Sequence, residues 1–284
     1  MGRRILAALC AACLVLCAFG CRKAPEPVTE PTETILTDPY HNAIPVYSDV
    51  DFAALDASLF SLDENGRMTY ADEQIQVYNG VDISVFQGEI DWQAVKADGI
   101  DFAILRAGFR GYGTDGSLNV DESFARNAAG ATAAGIDIGV YFFSQAVTTA
   151  EAAEEAAYLL EIIKPYNITY PVAYDWERIT QDTARTDETD NETITQCAVT
   201  FCDAVAAAGY EPVIYFNRSQ GYFNYDLSAV KDYHFWLAEY NETPAFVYNY
   251  RIWQYDNEGR VDGIDCDVDL NLSLIDFSKT KSVG

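Results

Sequence analysis

Basic residues are scarce in this chain of 284 residues. Lys and Arg together number 18 against 44 Asp and Glu, so the formal net charge at neutral pH is -26. Binding to nucleic acid needs a basic surface that neutralises phosphates, so this composition argues against a nucleic-acid partner. The same deficit disfavours electrostatic adhesion to an anionic membrane or wall polymer. A neutral, hydroxyl-rich ligand such as a glycan fits better, and 19 Tyr and 4 Trp supply flat faces for sugar rings.

Histidine and cysteine, the residues most used for metal binding and thiol catalysis, are also few in this chain. The chain has 2 His, His41 and His234, and of its 7 Cys only Cys197, Cys202 and Cys266 lie beyond the N-terminal apolar segment. Their spacing is not that of metal ligands, and neither His stands in an evident relation to a cysteine. We therefore predict no metal, no cofactor and no catalytic thiol. Cys197 and Cys202 are poorly spaced for a disulfide on one helix, so the three thiols are predicted to be small buried hydrophobic groups.

The apolar run Ile5–Phe19 is too short for a membrane-spanning helix, which needs ~20 residues. It follows Arg3-Arg4 and has the form of a secretory signal. It ends in Ala18-Phe19-Gly20-Cys21, which resembles the lipobox of bacterial lipoproteins, with Ala18 where Leu is usual. We predict that residues 1–21 are a lipoprotein-type signal peptide and that lipidated Cys21 anchors an exported protein to the outer face of the membrane. A plain signal peptide, giving a secreted protein, is the alternative.

Two segments separate this signal from the main domain. Residues 22–45 carry five Pro among Glu and Thr, a composition typical of a disordered linker. Residues 46–79 form an N-terminal extension, in which Asn65-Gly66 between Leu62 and Met68 predicts a hairpin. This extension either packs on the main domain or acts as a spacer. The main domain is predicted to span residues 80–284.

Strands and helices alternate regularly from Gly80 onward. The predicted strands are Val81–Ser84, Phe102–Ala107, Asp137–Phe143, Tyr170–Trp176, Pro212–Phe216, His234–Ala238, Arg251–Tyr255 and Val268–Leu270, and the predicted helices are Asp91–Ala97, Asp121–Ala134, Thr149–Lys164 and Glu192–Ala208. About eight strands with interleaved helices over one domain length indicate an α/β fold, a closed TIM-like β/α barrel. The connections after Trp236 are too short for full helices, so we expect an irregular barrel whose last strands are arranged like hairpins.

Two carboxylates end the fourth predicted strand, within Tyr170-Pro-Val-Ala-Tyr-Asp-Trp-Glu177. Residues i and i+2 of a strand point to the same side, so Asp175 and Glu177 project together. Burial of an unpaired carboxylate is unfavourable, and two adjacent carboxylates do not both ionise easily. Only Arg178 and Arg185 follow closely as cations. The stretch therefore suggests a catalytic carboxylate pair.

Further acids and polar aromatics accompany other predicted strands. Asp82 lies in the first strand and Asp269 in the last, and the strands between them carry Tyr141, Tyr215, Trp236 and Gln254. Barrel chemistry occurs at the C-terminal ends of the strands, and this set suits glycoside hydrolysis, which needs one protonated carboxyl and negative charge near an oxocarbenium-like centre. Simpler interpretations remain open: Asp82 as a helix cap, and Asp269 as part of a solvated acidic loop or a calcium site, although no EF-hand pattern is present.

Several motifs, in order, together resemble one family. They are Gly80-Val-Asp-Ile-Ser-Val-Phe-Gln-Gly88 with Ile90-Asp-Trp92, Phe102-Ala-Ile-Leu-Arg-Ala-Gly108, Gly111-Tyr-Gly113, Gly139-Val-Tyr-Phe-Phe-Ser-Gln145, Pro171-Val-Ala-Tyr-Asp-Trp-Glu177, Gly209-Tyr-Glu-Pro-Val-Ile-Tyr215, Trp236-Leu-Ala-Glu-Tyr240, Trp253-Gln-Tyr255, and Gly263-Ile264 leading to Val268-Asp-Leu-Asn271. From Val81 to about Phe277 the chain is similar to the glycoside hydrolase family 25 lysozymes, which are N-acetylmuramidases. The resemblance implies a modified α/β barrel that cleaves the β-1,4 bond between N-acetylmuramic acid and N-acetylglucosamine in peptidoglycan.

The resemblance also implies roles for the matching residues. Glu177 would be the general acid, and Asp175 its partner, which orients the 2-acetamido group of the substrate or stabilises positive charge. Asp82 and Asp269 would line the floor of the site, and the substrate contacts would be Tyr141, Tyr215, Trp236 and Gln254. Phe142 departs from the pattern, because some relatives carry His there. Retention and inversion both remain open.

The expected partner is a peptidoglycan glycan strand, bound by a monomer whose only membrane contact is the N-terminal lipid. One alternative is a non-catalytic peptidoglycan-binding envelope lipoprotein on the same barrel. Others are a hydrolase of another glycan, such as chitin, and a purely structural envelope protein.

Overall fold

The computed structural model describes residues 35–38 and 42–280. The predicted signal peptide at residues 1–21, with Cys21, and residues 22–34 of the predicted linker lie outside the described residues. The described residues belong to one compact unit. None of their helices has the length and apolar character that a membrane crossing requires.

The strands and helices follow one another in regular order along the chain. The strands are β1 (Ile35–Thr37), β2 (Ala43–Pro45), β3 (Phe60–Leu62), β4 (Met68–Tyr70), β5 (Tyr78–Ile83), β6 (Phe102–Arg110), β7 (Leu118–Val120), β8 (Asp137–Ser144), β9 (Val172–Trp176), β10 (Pro212–Asn217), β11 (His234–Ala238), β12 (Ile252–Gly259) and β13 (Val268–Ser273). The helices are α1 (Trp92–Ala97), α2 (Phe124–Ala134), α3 (Thr149–Ile163), α4 (Asn191–Ala207), α5 (Arg218–Phe223) and α6 (Leu227–Val230), with 3₁₀ turns at Ala57–Leu59, Val85–Gln87 and Phe277–Lys279.

Eight of these strands close into a barrel. Their order around the ring is β5, β6, β8, β9, β10, β11, β12 and β13, which pairs back with β5. Neighbours from β5 to β12 run parallel, and only β13 runs antiparallel to both of its neighbours. The predicted irregular barrel is therefore confirmed, including the hairpin-like β12–β13 pair. The strand β7 pairs with β6 outside the ring. Neither β7 nor the short helices α5 and α6 were predicted from the sequence.

Aromatic side chains fill the end of the barrel where the parallel strands begin. The rings of Phe102 and Tyr170 stack with centroids 4.5 Å apart, and Phe277 meets Tyr170 edge-on at 5.6 Å. Gly80 makes room for this plug, because a Cβ there would lie 2.3 Å from the Phe102 ring. These close contacts fill this end of the barrel interior.

A second hydrophobic layer lies between the barrel and its helices. On α3 the residues Ala152, Ala156, Leu159 and Ile163 are fully buried, at the helical spacing that predicted this face. The side chain of Thr148 caps the helix by accepting a hydrogen bond from the backbone N–H of Glu151.

The three thiols divide by burial. Cys197 and Cys202 on α4 are fully buried and free, whereas Cys266 is only partly buried. The prediction of small buried hydrophobic groups therefore holds for the α4 pair and is wrong for Cys266, which lies in the loop before β13. Its Sγ contacts the carbonyl of Phe86 at 3.9 Å.

The N-terminal extension packs against the side of the barrel. Its strands β3 and β4 form an antiparallel hairpin across the Asn65-Gly66 turn. Phe60 of this hairpin contacts the ring of Trp253 on β12 at 5.2 Å, and the backbone N–H of Met68 donates to the hydroxyl of Tyr255 at 3.3 Å. These buried contacts show that the extension is not a spacer.

Part of the predicted linker forms a pair of short strands. The strands β1 and β2 pair antiparallel, and Ile44 is 1% exposed. The guanidinium of Arg218 binds the carboxylate of Asp38 at 2.6 Å. Apolar burial and this ion pair hold residues 35–38 and 42–45 in place, so the prediction of disorder up to residue 45 is wrong for them.

Candidate active site

A cavity of about 940 Å³ lies at the end of the barrel where the parallel strands finish. It contains all four predicted acids and Tyr141. Its lining residues are Asp82, Ser84, Phe86, Gln87, Arg106, Phe109, Arg110, Gly111, Tyr112, Gly113, Tyr141, Phe143, Asp175, Glu177, Ile179, Gln181 and Asp269. The fold therefore brings together side chains that are far apart in the chain.

The alternation of β9 aims Asp175 and Glu177 into this cavity. Tyr174 and Trp176, which alternate with them along the chain, pack with the helix layer instead. Asp175 is 4% exposed, and its Oδ1 is buried with no hydrogen-bond partner in the described part of the chain. An unpaired buried carboxylate oxygen is costly unless it serves a ligand, so Asp175 offers a ready acceptor.

The backbone at Glu177 is held from behind by a buried amide. Gln145 is fully buried, and its Nε2 donates to the carbonyl oxygen of Glu177 at 2.9 Å. Its Oε1 accepts from the hydroxyl of Thr186 at 2.8 Å. These bonds join the end of β8, the end of β9 and the following loop, so the position of Glu177 is fixed by three segments.

The acids of the cavity hold their protons more tightly than ordinary carboxyl groups. Burial, and then the negative charge of Asp269, raises the pKa of Glu177. Burial also raises the pKa of Asp175 well above its usual range, reinforced by Glu177 and Asp82 and opposed by Arg106. A carboxyl group that stays protonated at higher pH is suited to donate a proton to a departing oxygen.

Asp82 and Asp269 meet because β13 runs antiparallel. The two residues are direct register partners across β5 and β13. Asp82 therefore lies near the end of its strand and Asp269 near the start of its own, yet both reach the same face of the barrel. This corrects the view that every acid ends its strand. Neither acid serves the simpler role left open for it: Ser84, rather than Asp82, caps the following 3₁₀ turn, and Asp269 lines the cavity.

Two amide donors hold one oxygen of Asp82. Gln254 Nε2 and Asn271 Nδ2 both donate to Asp82 Oδ2, each at 2.8 Å. Asp269 is the register partner of Asp82, and two adjacent carboxyl groups do not both ionise easily. Burial and then Asp269 raise the pKa of Asp82 well above its usual range, and burial raises the pKa of Asp269 to about 6.

Three predicted substrate contacts lie beneath the cavity instead of lining it. Trp236 is 2% exposed, and its indole N–H donates to Asn271 Oδ1 at 2.8 Å. Gln254 uses its amide nitrogen on Asp82, and its Oε1 accepts from the hydroxyls of Tyr215 at 3.2 Å and Tyr240 at 2.7 Å. Trp236, Tyr215 and Gln254 thus support Asp82 from below, and their contact with sugar stays a prediction.

The wall of the cavity consists largely of residues that sequence reasoning missed. Phe86, in the 3₁₀ turn after β5, is 77% exposed, and Tyr112, in the loop after β6, is 43% exposed. No hydrophobic periodicity at these positions predicts a functional role. Arg106 had a usable signal, because it follows Phe102 and Ile104 on the inward-facing side of β6. Asn271 and Tyr240 were quoted only as parts of motifs.

Phe142 does not face the cavity. It is fully buried on the outer side of β8, with its ring 6.4 Å from that of Phe201 on α4. The departure from His at this position therefore concerns packing against a helix, because the Phe142 side chain does not line the cavity.

Comparisons with known proteins agree with this geometry. The family model described as Glycosyl hydrolases family 25 matches residues 81–264. The chain is 28% identical to the autolytic lysozyme of Clostridium acetobutylicum over 209 residues, covering 72% of this chain and 57% of that protein. It is 28% identical to lysozyme M1 of Streptomyces globisporus over 208 residues, covering 68% of this chain and 66% of that protein.

A solved structure shows the same fold. The modular autolysin LytC from Streptococcus pneumoniae, determined in complex with a synthetic peptidoglycan ligand, aligns with a TM-score of 0.61 at 24% identity. The alignment covers 78% of this chain and 52% of that one. The chain therefore spans little more than half of the autolytic lysozyme and of LytC.

Proposed function

Because the chain belongs to the glycosyl hydrolases of family 25, we propose that it is a peptidoglycan hydrolase that cuts the β-1,4 bond between N-acetylmuramic acid and N-acetylglucosamine. The observation that carries this proposal is the convergence of Asp82, Asp175, Glu177 and Asp269 in one cavity. The names of two relatives, autolytic lysozyme and lysozyme M1, support the same substrate.

In the proposed reaction Glu177 is the general acid. Its proton passes to the glycosidic oxygen as the bond from that oxygen to C1 breaks, and water supplies the hydroxyl that ends on C1. The proton released by that water restores the carboxyl group. Burial and the charge of Asp269 raise the pKa of Glu177, which keeps its carboxyl group protonated at higher pH.

Asp175 is proposed to hold the substrate next to this acid. Its unpaired Oδ1 would accept a hydrogen bond from the N–H of the 2-acetamido group. The positive charge that develops at C1 would favour the ionised form of Asp175, which in turn would stabilise that charge. Asp82 and Asp269, the paired carboxyl groups on the floor, would stabilise the same centre from below.

We also propose that the protein acts outside the cytoplasm, held by a lipid on Cys21 after removal of residues 1–20. The expected outcome is recovery of the full-length protein in the membrane fraction and its release by Cys21→Ser. Unchanged membrane association of that variant would contradict the anchor and leave the hydrolase proposal untouched.

The test of the hydrolase uses the full-length chain and purified peptidoglycan. Released fragments are reduced with borohydride, and the new reducing-end sugar is identified by mass spectrometry. Muramitol ends, absent with Glu177→Gln, are the expected result. Glucosaminitol ends would move the cleavage to the other bond, and no new ends from any wall preparation would favour the non-catalytic binding protein.

A further inference from the structure

Arg106 is a cation built into a cavity that is otherwise acidic. Only two basic residues, Arg106 and Arg110, are among the lining residues. Arg110 is fully engaged: its nitrogens bind the carboxylates of Glu155 and Glu154 and the carbonyl oxygens of Gly116 and Glu151, at 2.7 to 3.1 Å. Arg106 is therefore the lining cation with capacity for a ligand.

The guanidinium of Arg106 is anchored at one nitrogen. Its Nε donates to Asp121 Oδ2 at 2.7 Å, while its Nη1 and Nη2 have no hydrogen-bond partner in the part of the chain that the structure describes. Asp121 is itself fixed, because it accepts from the backbone and hydroxyl of Ser123 at 2.9 and 2.6 Å and from the backbone N–H of Val85 at 3.1 Å. A fork held at Nε presents its two remaining nitrogens in one defined direction.

Two aromatic rings hold the same guanidinium. The Phe86 centroid lies 5.0 Å from Arg106 Cζ, and the Phe109 centroid lies 5.3 Å from it. Cation–π contacts of this length stabilise the charge and its orientation. With 13% of the Arg106 side chain exposed, the fork is largely withdrawn from bulk water, which strengthens its hydrogen bonds to an oxygen ligand.

The position of Arg106 suits the recognition of a substituent on the sugar. On β6 it pairs with Tyr141 of β8, and two residues earlier Ile104 pairs with Asp82 of β5. Arg106 thus lines the same cavity as the floor acid Asp82 and Tyr141, on the strand that runs between theirs. The four acids around the centre repel an anionic group, so they leave Arg106 as the place where such a group is accommodated.

The two sugars of the proposed substrate differ in one substituent. N-acetylmuramic acid carries at O3 a lactyl ether that ends in a carboxyl group, and N-acetylglucosamine has a hydroxyl there. We propose that Arg106, clamped by Phe86 and Phe109, binds the lactyl carboxyl of muramic acid and so determines which sugar occupies the site beside Glu177. In peptide-free glycan this group is a carboxylate, and in glycan with stem peptides it is an amide carbonyl, which accepts from the same fork. This inference rests on the proposed function.

The experiment compares two forms of one ligand. The ligand is a peptide-free tetrasaccharide of alternating N-acetylglucosamine and N-acetylmuramic acid, used with free lactyl carboxylates and with those carboxylates reduced to alcohols. Binding is measured by calorimetry on full-length protein carrying Glu177→Gln, which prevents turnover. We expect the carboxylate form to bind at least ~10-fold tighter, as a charge-assisted hydrogen bond predicts.

Adding Arg106→Gln should abolish the difference, and Arg106→Lys, which keeps a cation for Asp121, should leave a reduced one. Arg126→Gln is the charge-matched control: it removes one positive charge at an exposed pair with Glu89 and should keep the full preference. A ratio of two affinities on one sample is insensitive to the fraction of protein that is folded.

Equal affinity for both forms in the Glu177→Gln parent would overturn the inference. So would a preference that persists in Arg106→Gln. If either result is found while the unmutated protein still produces muramitol ends, the proposed hydrolase activity stands and only the role of Arg106 is refuted. The absence of new ends, together with no binding of either form, would reject both proposals.

Discussion

Asp82 and Asp269 face each other as register partners across the antiparallel strands β5 and β13. One carboxyl pair thus joins the first and last strands of the barrel at the floor of the cavity. The amides of Gln254 and Asn271 fix one side of the pair at Asp82 Oδ2. The other member, Asp269, acts on Glu177 through its charge.

This charge makes a prediction about pH dependence. Asp269→Asn removes a negative charge that raises the pKa of Glu177, so the acid loses its proton at lower pH. Activity that requires protonated Glu177 falls as pH rises through that pKa. The alkaline limb of kcat/KM should therefore move to lower pH, by up to ~1 unit. A pH profile on soluble glycan checks this, with the exposed neighbour Asp265→Asn as control; coincident limbs for all three proteins would contradict it.

A second prediction concerns the hydrogen bond from Trp236 to Asn271. Trp236→Phe leaves a buried acceptor on Asn271 without its donor, which costs about 1–3 kcal/mol. Trp176→Phe is the matched control, since the Trp176 indole is also buried and its N–H has no partner among the described residues. Urea unfolding should show Trp236→Phe to be the more destabilising by about that amount. Equal losses would mean that the bond to Asn271 contributes nothing.

The packing of the N-terminal extension makes a third prediction. Phe60 is 9% exposed between Tyr70 and Trp253, so Phe60→Ala should lower the free energy of unfolding by ~3 kcal/mol. Leu62 on the same strand is 60% exposed, and Leu62→Ala should change it by less than ~0.5 kcal/mol. An unchanged unfolding midpoint in Phe60→Ala would show that the hairpin does not unfold together with the barrel.

The buried pair of Arg110 and Glu155 makes a fourth prediction. Glu155 is fully buried between Arg110 at 2.7 Å and the hydroxyl of Ser144 at 2.6 Å, so Arg110→Met strands a carboxylate and should cost about 3–5 kcal/mol. Lys164→Met, at an exposed pair with Glu161, should cost less than ~0.5 kcal/mol.

The cost of Arg110→Met should also grow with pH. Burial already holds the pKa of Glu155 at about 7, above its ordinary 4.5, and loss of Arg110 raises it further. The native state then binds more protons than the unfolded state, so stability falls as pH rises. Unfolding curves at acidic and mildly alkaline pH measure this difference, and a loss equal at both would contradict the stranded charge.

The fold was predictable because its signals are local. Each parallel barrel strand is a short apolar run, and helices of regular period separate most of them, so all eight strands were placed within a few residues. The helix α5 is different: its six residues include Gly221, and a Cβ there would lie 2.7 Å from the Phe216 ring. Its readable signal was the capping box between Asn217 and Gln220, which has no apolar run to support it.

The site was only partly predictable, because depth inside a barrel is not a local property. The alternation of β9 suffices to direct Asp175 and Glu177 inward. Whether Trp236 touches substrate depends on what covers it and on where its N–H finds an acceptor, which is Asn271. The alternation of β6 directs Arg106 inward, but its anchoring depends on Asp121 and Phe86, which lie in other segments of the chain.

The antiparallel closure by β13 also bears on when the site comes into existence. Asn271 and Asp82 are 189 positions apart in the chain, and β13 follows every other barrel strand. Until β13 inserts between β12 and β5, Asp82 lacks both its carboxyl partner and one of its amide donors. The floor of the cavity therefore depends on ring closure, because a chain in which β13 has not inserted lacks the pairing of Asp82 with Asp269.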